Sequence, residues 1–274
     1  MTNQRIGSRG EFEGFFEAFF GEAGVGAESR GYFRQSSDRL WDTATAFGLW
    51  EARYGSVLEI GPGFAYLPFL WKRVLSDEVA ILDGESEELI AFGETYRRYG
   101  IEPVYADLFR LFGERDPGKN RLPFETGRFE AVICWETMEH FNFNPIPFLK
   151  ELRRVTRPGG QVLLTVPNQA KLDMRLALLR GRSVRTPVGD YVLQMDDANR
   201  MKYAPHWREY TLTEFRELIE GVGFRIGMAR HLQTYMNREG MGLGRRIKRG
   251  VGNVLTRLVP SLGALCVVRA TVEP

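Results

Sequence analysis

The feature that most constrains this chain is a regular exchange between two hydrophobic periods. Short apolar runs recur from residue 56 onward: SVLEIG (56–61), VAILD (79–83), IEPVYAD (101–107), FEAVICW (129–135) and QVLLTVP (161–167). Two more follow later, FRIGMARHL (224–232) and ALCVVRATV (264–272). Longer amphipathic stretches such as AYLPFLWKRVL and ESEELIAFGETYRRYG separate the early runs. Near-continuous apolar runs of this length are strands covered on both faces, and the helical stretches between them supply the cover. The alternation predicts an α/β fold with a doubly wound sheet of six or seven strands. A typical parallel crossover is missing between the last two.

With 274 residues, 43% of them hydrophobic and 12% aromatic, the chain can bury one sizeable core. It reads as one domain over 51–274, preceded by an N-terminal helical extension over 1–50. Two stretches interrupt the pattern, an irregular one at 169–205 and an amphipathic one at 240–258. Loops that long are more often functional lids than accidents. The net charge of +2 comes from 37 basic and 35 acidic residues, so no overall field argues for a nucleic acid partner. Cys134 and Cys266 sit in apolar runs without metal-binding spacing, as buried thiols in a reducing compartment would. No charged leader precedes an apolar stretch, and no run reaches the roughly 18 apolar residues that span a bilayer. The expectation is a cytoplasmic protein of undetermined oligomeric state.

EFEGFFEAFF places Phe12, Phe15, Phe16, Phe19 and Phe20 along one helical face, the pattern of a helix packed into a core. LGRRIKRGVGNVLTRLVP stripes Leu243, Ile247, Val251, Leu255 and Leu258 opposite Arg245, Arg246, Lys248 and Arg249. That is the stripe of a solvated helix resting on the domain, and peripheral contact with an anionic membrane is its other reading.

Chemistry first shows in VLEIGPGFAYLPFL. The strand ends in Glu59, and Gly61, Gly63 and Ala65 turn the chain into a helix where backbone can approach a ligand closely. A dinucleotide loop would want a small residue where Tyr66 stands, and no tyrosine in the chain has a lysine four residues on. A nucleoside ligand is expected, and dehydrogenase chemistry is disfavoured. Asp83 ends the second strand, where a carboxylate can accept both ribose hydroxyls. Asp107 ends the third, within reach of an exocyclic adenine amine. The positive end of the first helix of the domain can face a carboxylate on the ligand.

Glu59-x-Gly61-x-Gly63, Asp83, the Ala-Asp pair ending at Asp107 and RPGG (157–160) together resemble the class I S-adenosylmethionine-dependent methyltransferases. The resemblance covers residues 50 to 170 and 205 to 272, and Ala65 stands where that family often has a third glycine. It implies a Rossmann-like seven-stranded sheet and S-adenosylmethionine as cofactor. By it, Glu59, Gly61 and Gly63 belong to the methionine-side loop, Asp83 to the ribose, Asp107 and Leu108 to adenine; Trp135 closes the set of expected cofactor contacts.

CWETMEHFNF (134–143) follows the fourth strand. If the turn after Trp135 is helical, Glu136, Glu139 and His140 stand at i, i+3 and i+4 and converge on one point. Two carboxylates and an imidazole suit Mg²⁺ or Mn²⁺. E-x-x-E-H also resembles the metal motif of ubiquinone-pathway O-methyltransferases and of small-RNA 2′-O-methyltransferases. The latter resemblance draws in HWREYT, and so His206, as a fourth ligand, with Thr211 and Glu214 as the capping box of the next helix. A metal-free site with His140 as general base, helped by Glu139, fits the same residues. His231 lies inside a strand and reads as structural. A bound ion is most useful for vicinal hydroxyls, so the expected reaction is O-methylation of a saccharide or glycan. O- or C-methylation of a quinone, phenol or other apolar small molecule is the alternative, and no long basic stripe supports nucleic acid. Arg175, Arg180, Arg182, Arg185, Asp190, Asp196 and Asp197 are candidate hydroxyl contacts from the lid, and Tyr203 and Trp207 candidate stacking surfaces.

Overall fold

In a computed structural model of the chain, which describes residues 6–23, 25–63, 66–84, 87–113, 120–193, 205–236 and 243–273, the apolar runs form one sheet. Its strands are β1 (Val57–Ile60), β2 (Val79–Asp83), β3 (Ile101–Tyr105), β4 (Phe129–Trp135), β5 (Thr156–Pro167), β6 (Phe224–Leu232) and β7 (Leu265–Val272). They lie in the order β3-β2-β1-β4-β5-β7-β6. β3, β2, β1, β4 and β5 are mutually parallel. β7 runs antiparallel to both β5 and β6, which explains the missing crossover in the sequence. The carboxyl ends of β1, β2, β4, β5 and β6 therefore open on one edge.

Side chains alternate across the sheet, as a strand period of two requires. Val57, Ile81, Ala131, Ile133 and Leu163 face one apolar cluster, and Leu58, Ile60, Leu82, Val132 and Leu164 face the other. The first cluster is covered by α1 (Arg9–Glu22), α2 (Ala27–Phe47), α3 (Leu67–Val74) and α4 (Glu87–Arg98). The second is covered by α5 (Leu108–Gly113), α6 (Pro145–Val155) and α9 (Leu212–Gly221). Between β5 and α9 lie α7 (Leu172–Leu179) and α8 (Val188–Leu193), and α10 (Leu243–Leu258) joins β6 to β7.

The phenylalanine helix is core, as its stripe predicts. Ser8 and Glu11 form a capping box at its start. Phe12, Phe16, Phe19 and Phe20 are buried, with Phe33 of α2, Tyr66 and Phe69 in ring contact. One apolar cluster thus runs unbroken from the N-terminal helices into the sheet. Tyr66, which argues against a dinucleotide loop, is an anchor of that cluster.

Three expectations are corrected. The fifth strand begins at Thr156, so RPGG lies inside it; the register shifts between Phe129 and Ala131, and Gly159 at φ 78° absorbs the irregularity. The turn after Trp135 is not α-helical: Glu136 sits at φ 50° and a single 3-10 turn, Met138–His140, follows. α10 rests on the domain through its polar side and not its apolar stripe, since Arg249 pairs with Asp38 of α2 at 3.0 Å and Thr256 is buried. Ala65, Asp196, Asp197, Tyr203 and the side chains of Asp190, Leu243, Arg245, Arg246, Ile247 and Lys248 lie outside what the structure describes. Among the described residues no helix is long and apolar enough to cross a membrane. Both cysteines are free and buried.

Candidate active site

Every residue that the sequence marks for cofactor or metal lines one cavity of about 560 Å³ at the carboxyl edge of β1, β2 and β4. The side expected to hold the cofactor starts at Glu59. The β1 strand buries this carboxylate, leaving Oε2 without a hydrogen-bond partner. Burial pushes the carboxyl up to about 8, although the nearby Trp71 indole, itself without a hydrogen-bond partner, draws it back in part; the charge of Asp83 adds to the rise. Gly61 and Gly63 adopt φ 69° and 59°. A Cβ on Gly61 would stand 2.5 Å from Thr137 Oγ1, so only glycine lets the loop pass the β4 turn. Beside Gly63 there is open space. Asp83 accepts the Gly84 N–H at 2.7 Å, and burial pushes it up to about 6 against the pull of the Gly84 and Gly63 amides.

Asp107 sits at the rim, half exposed, and caps α5: its Oδ1 accepts the N–H groups of Phe109 (2.8 Å) and Arg110 (3.3 Å). Its Oδ2 pairs with Arg110 Nε at 3.5 Å, and Asp107 and the buried Leu108 line the cavity. Trp135 stacks on Phe47 with centroids 5.7 Å apart and lines the wall between the two halves.

The acceptor half is built on the strained turn. Glu136 Oε1 accepts from Thr165 Oγ1 at 3.1 Å, and Oε2 accepts from Arg39 Nη1 at 3.2 Å. Arg39 also donates to Tyr32 Oη at 2.8 Å. Burial disfavours the guanidinium charge, yet Glu136 and Tyr32 hold its pKa above the ordinary value. Burial raises the Glu136 carboxyl in spite of Arg39. Glu139 is pushed well above its ordinary value by burial first and by the charge of Glu136 second. It is 1% exposed, and its Oε2 has no partner.

Glu139, His140 and His206 converge, with one ligand atom from each lying within 4.8 Å of the others. The two imidazole centroids are 4.9 Å apart. Backbone holds this corner together: Trp207 N–H donates to Glu139 O at 2.8 Å, and His140 Nδ1 lies 3.4 Å from Pro205 O. His206 Nδ1 meets Glu209 Oε1 at 2.8 Å; burial raises the Glu209 carboxyl, but the His206 ring and Lys171 hold it below the ordinary range. One buried carboxylate oxygen without a partner and two imidazoles make a donor set suited to a divalent first-row ion. Glu136, expected in that set, stands outside it because Thr165 and Arg39 occupy both its oxygens.

Sequence reasoning missed Arg39, Tyr32, Thr137, Thr165 and Glu209. The available signal was a polar stripe, Tyr32, Ser36, Arg39 and Thr43 at helical spacing in a helix whose other face is apolar. His231, read as structural, faces Cys266 across the β6–β7 ladder, and burial lowers its pKa. Trp207 is exposed.

A glycine turn after β1, buried carboxylates at the ends of β1 and β2 and this strand order together define a class I S-adenosylmethionine-dependent methyltransferase domain. Residues 32–227 match the family described as methyltransferase domain, and the chain belongs to that family. It is 24% identical over 190 residues to a ubiquinone biosynthesis O-methyltransferase of Xanthomonas oryzae pv. oryzae (strain PXO99A), covering 62% of this chain and 75% of that one. Among solved structures it resembles a chain from the Haloferax volcanii complex of the Trm112 methyltransferase activator with a methyltransferase. That match has a TM-score of 0.57 and 15% identity over 93% of this chain and 98% of the other. A methyltransferase structure from Bacillus halodurans C-125 gives 0.52 and 16% over 85% and 100%. At these identities the structural likenesses show the fold alone.

Proposed function

We propose that the chain transfers a methyl group from S-adenosylmethionine to a hydroxyl oxygen of an acceptor that offers two adjacent oxygens. Glu139 carries this reading: a fully buried carboxylate with an unpartnered oxygen, beside two imidazoles, in the same cavity as the cofactor residues. A carboxylate is buried in that way at a cost that only a task or a ligand offsets.

The bound donor supplies a methyl carbon already activated by its sulfonium. Asp83 would hold the ribose hydroxyls, Glu59 the methionine end, and Leu108 and Asp107 the base. What remains for the protein is to align a hydroxyl and remove its proton. His140 takes that proton, and Glu139 Oε1, 3.9 Å from His140 Nε2, stabilises the imidazolium. With an ion bound, Glu139, His140 and His206 would instead be its ligands, a set that suits Mn²⁺ better than Mg²⁺, and the ion would lower the pKa of a bound hydroxyl and orient two oxygens together, His140 then being a ligand and not the base. Similarity to the Xanthomonas protein supports O-methylation and favours a phenolic ring, while a saccharide with vicinal hydroxyls satisfies the same donors.

The test is methyl transfer to a panel of catechol-type phenols and saccharides, with and without EDTA. Glu139→Gln is expected to lower kcat by about 10²-fold or more while leaving the affinity for S-adenosylhomocysteine within about threefold of the parent value. Undiminished turnover in EDTA removes the ion from the reading, and methylation confined to nitrogen or carbon removes the hydroxyl.

A further inference from the structure

An amphipathic helix on a globular surface ordinarily turns its apolar stripe inward. α10 does the reverse. The Arg249 guanidinium pairs with Asp38 and lies 4.5 Å over the Tyr235 ring; Tyr235 Oη donates to Asn253 Oδ1 at 3.1 Å, and Thr256 is buried. At helical spacing these three residues mark one side of the helix, and Val251, Val254 and Leu258 mark the opposite side. The last three are exposed, Leu258 to 75%. Five basic residues and no acidic one occur in the helix sequence.

α7 behaves alike. It buries no residue, and Leu178 and Leu179 stand in solvent, Leu179 to 84%. Hydrogen bonds from Arg175 to Ser261, just beyond α10, tie it to the same region. At the other end of this connection Thr186 Oγ1 donates to His206 O at 3.0 Å, beside the cavity. α7 and α8 follow β5 and α10 follows β6, so all three leave the sheet at the edge where the cavity opens. Among the described residues every exposed large apolar side chain except Ile90 and Trp207 belongs to these elements or to the chain adjoining them. Soluble monomers rarely concentrate apolar surface in one patch without a partner for it.

We propose that this edge docks on an anionic lipid bilayer, with α7, α8 and α10 seated at the headgroup boundary. Arg180, Arg182, Arg185 and Arg257, exposed beside these apolar side chains, match anionic headgroups, and the exposed Val and Leu side chains match the acyl boundary. A second copy of the chain in the same place would set those cations against their own kind. It follows, resting on the O-methylation reading above, that the acceptor carries an apolar tail and meets the cavity from the membrane.

The experiment sediments the full chain with vesicles of phosphatidylcholine alone and of phosphatidylcholine with roughly 30% phosphatidylglycerol. Its comparison is the double variant Leu179→Glu, Leu258→Glu, whose sites are exposed, with thermal melting and S-adenosylhomocysteine affinity as controls for folding. The parent chain is expected to pellet with the anionic vesicles. Partitioning is expected to fall about tenfold or more on neutral vesicles, at high salt, and in the variant. A parent chain that stays in the supernatant overturns the proposal, as does a variant that pellets equally, or a dimer in sedimentation velocity that the variant abolishes without vesicle binding. Turnover on a water-soluble acceptor reads the chemistry separately and stays unchanged if docking alone is wrong.

Discussion

Replacing Glu59 by glutamine should make the ligand-free protein more stable at neutral pH and worse at holding its donor. The native carboxyl lies at about 8 against an ordinary 4.5, raised chiefly by burial. The folded chain therefore holds a proton that the unfolded chain releases. Stability from this group is complete below 4.5 and is lost as pH rises through 8. At pH 7 the loss is about 3 kcal/mol, and at pH 5 it is under about 1 kcal/mol. Glutamine keeps the shape and removes the titration, adding only a constant amide term. The difference in melting temperature between variant and parent should thus grow by about 5 °C in the variant's favour from pH 5 to pH 7, at roughly 2 °C per kcal/mol for a chain of this length. Thermal scans across that range measure it. A difference independent of pH would refute the reasoning, because it would mean that Glu59 ionises in the folded chain as freely as in water. Calorimetry on the same variant should show weakened binding of S-adenosylhomocysteine.

Two further substitutions probe the turn beneath the cavity. Gly61→Ala combines a left-handed φ with a Cβ 2.5 Å from Thr137 Oγ1, and should cost about 3 kcal/mol in urea unfolding. Arg39→Leu leaves Glu136 buried without its cation; it should cost about 2–4 kcal/mol, and adding Glu136→Gln should restore a large part of that loss.

The sheet and the gathering of the expected cofactor residues in one cavity were legible because both are local. An apolar run identifies a buried strand, so Glu59 and Asp83 in β1 and β2, and Asp107 two residues past β3, could be placed at one edge without knowledge of any partner. The acceptor side was half legible. Residue types at 139, 140 and 206 did converge, but the helical spacing assumed for Glu136 failed, since a left-handed residue at the strand end turns its side chain toward Thr165 and Arg39. Arg39 comes from a helix 97 residues earlier, a distance that no spacing rule spans. The orientation of α10 was illegible for a related reason. Periodicity reveals two faces but not which one finds a partner, and here Asp38 and Tyr235, from elsewhere in the chain, claim the polar one.

The central claim is that an adenosyl donor is held at the carboxyl edge of β1 and β2 by Asp83. Calorimetric titration of S-adenosylhomocysteine into the folded chain and into Asp83→Ala tests it most directly. The account predicts one site per chain, with affinity falling about 30-fold in the variant as charge-assisted hydrogen bonds to the ribose are lost. No heat of binding to the parent chain, or equal affinity in both proteins, would contradict it.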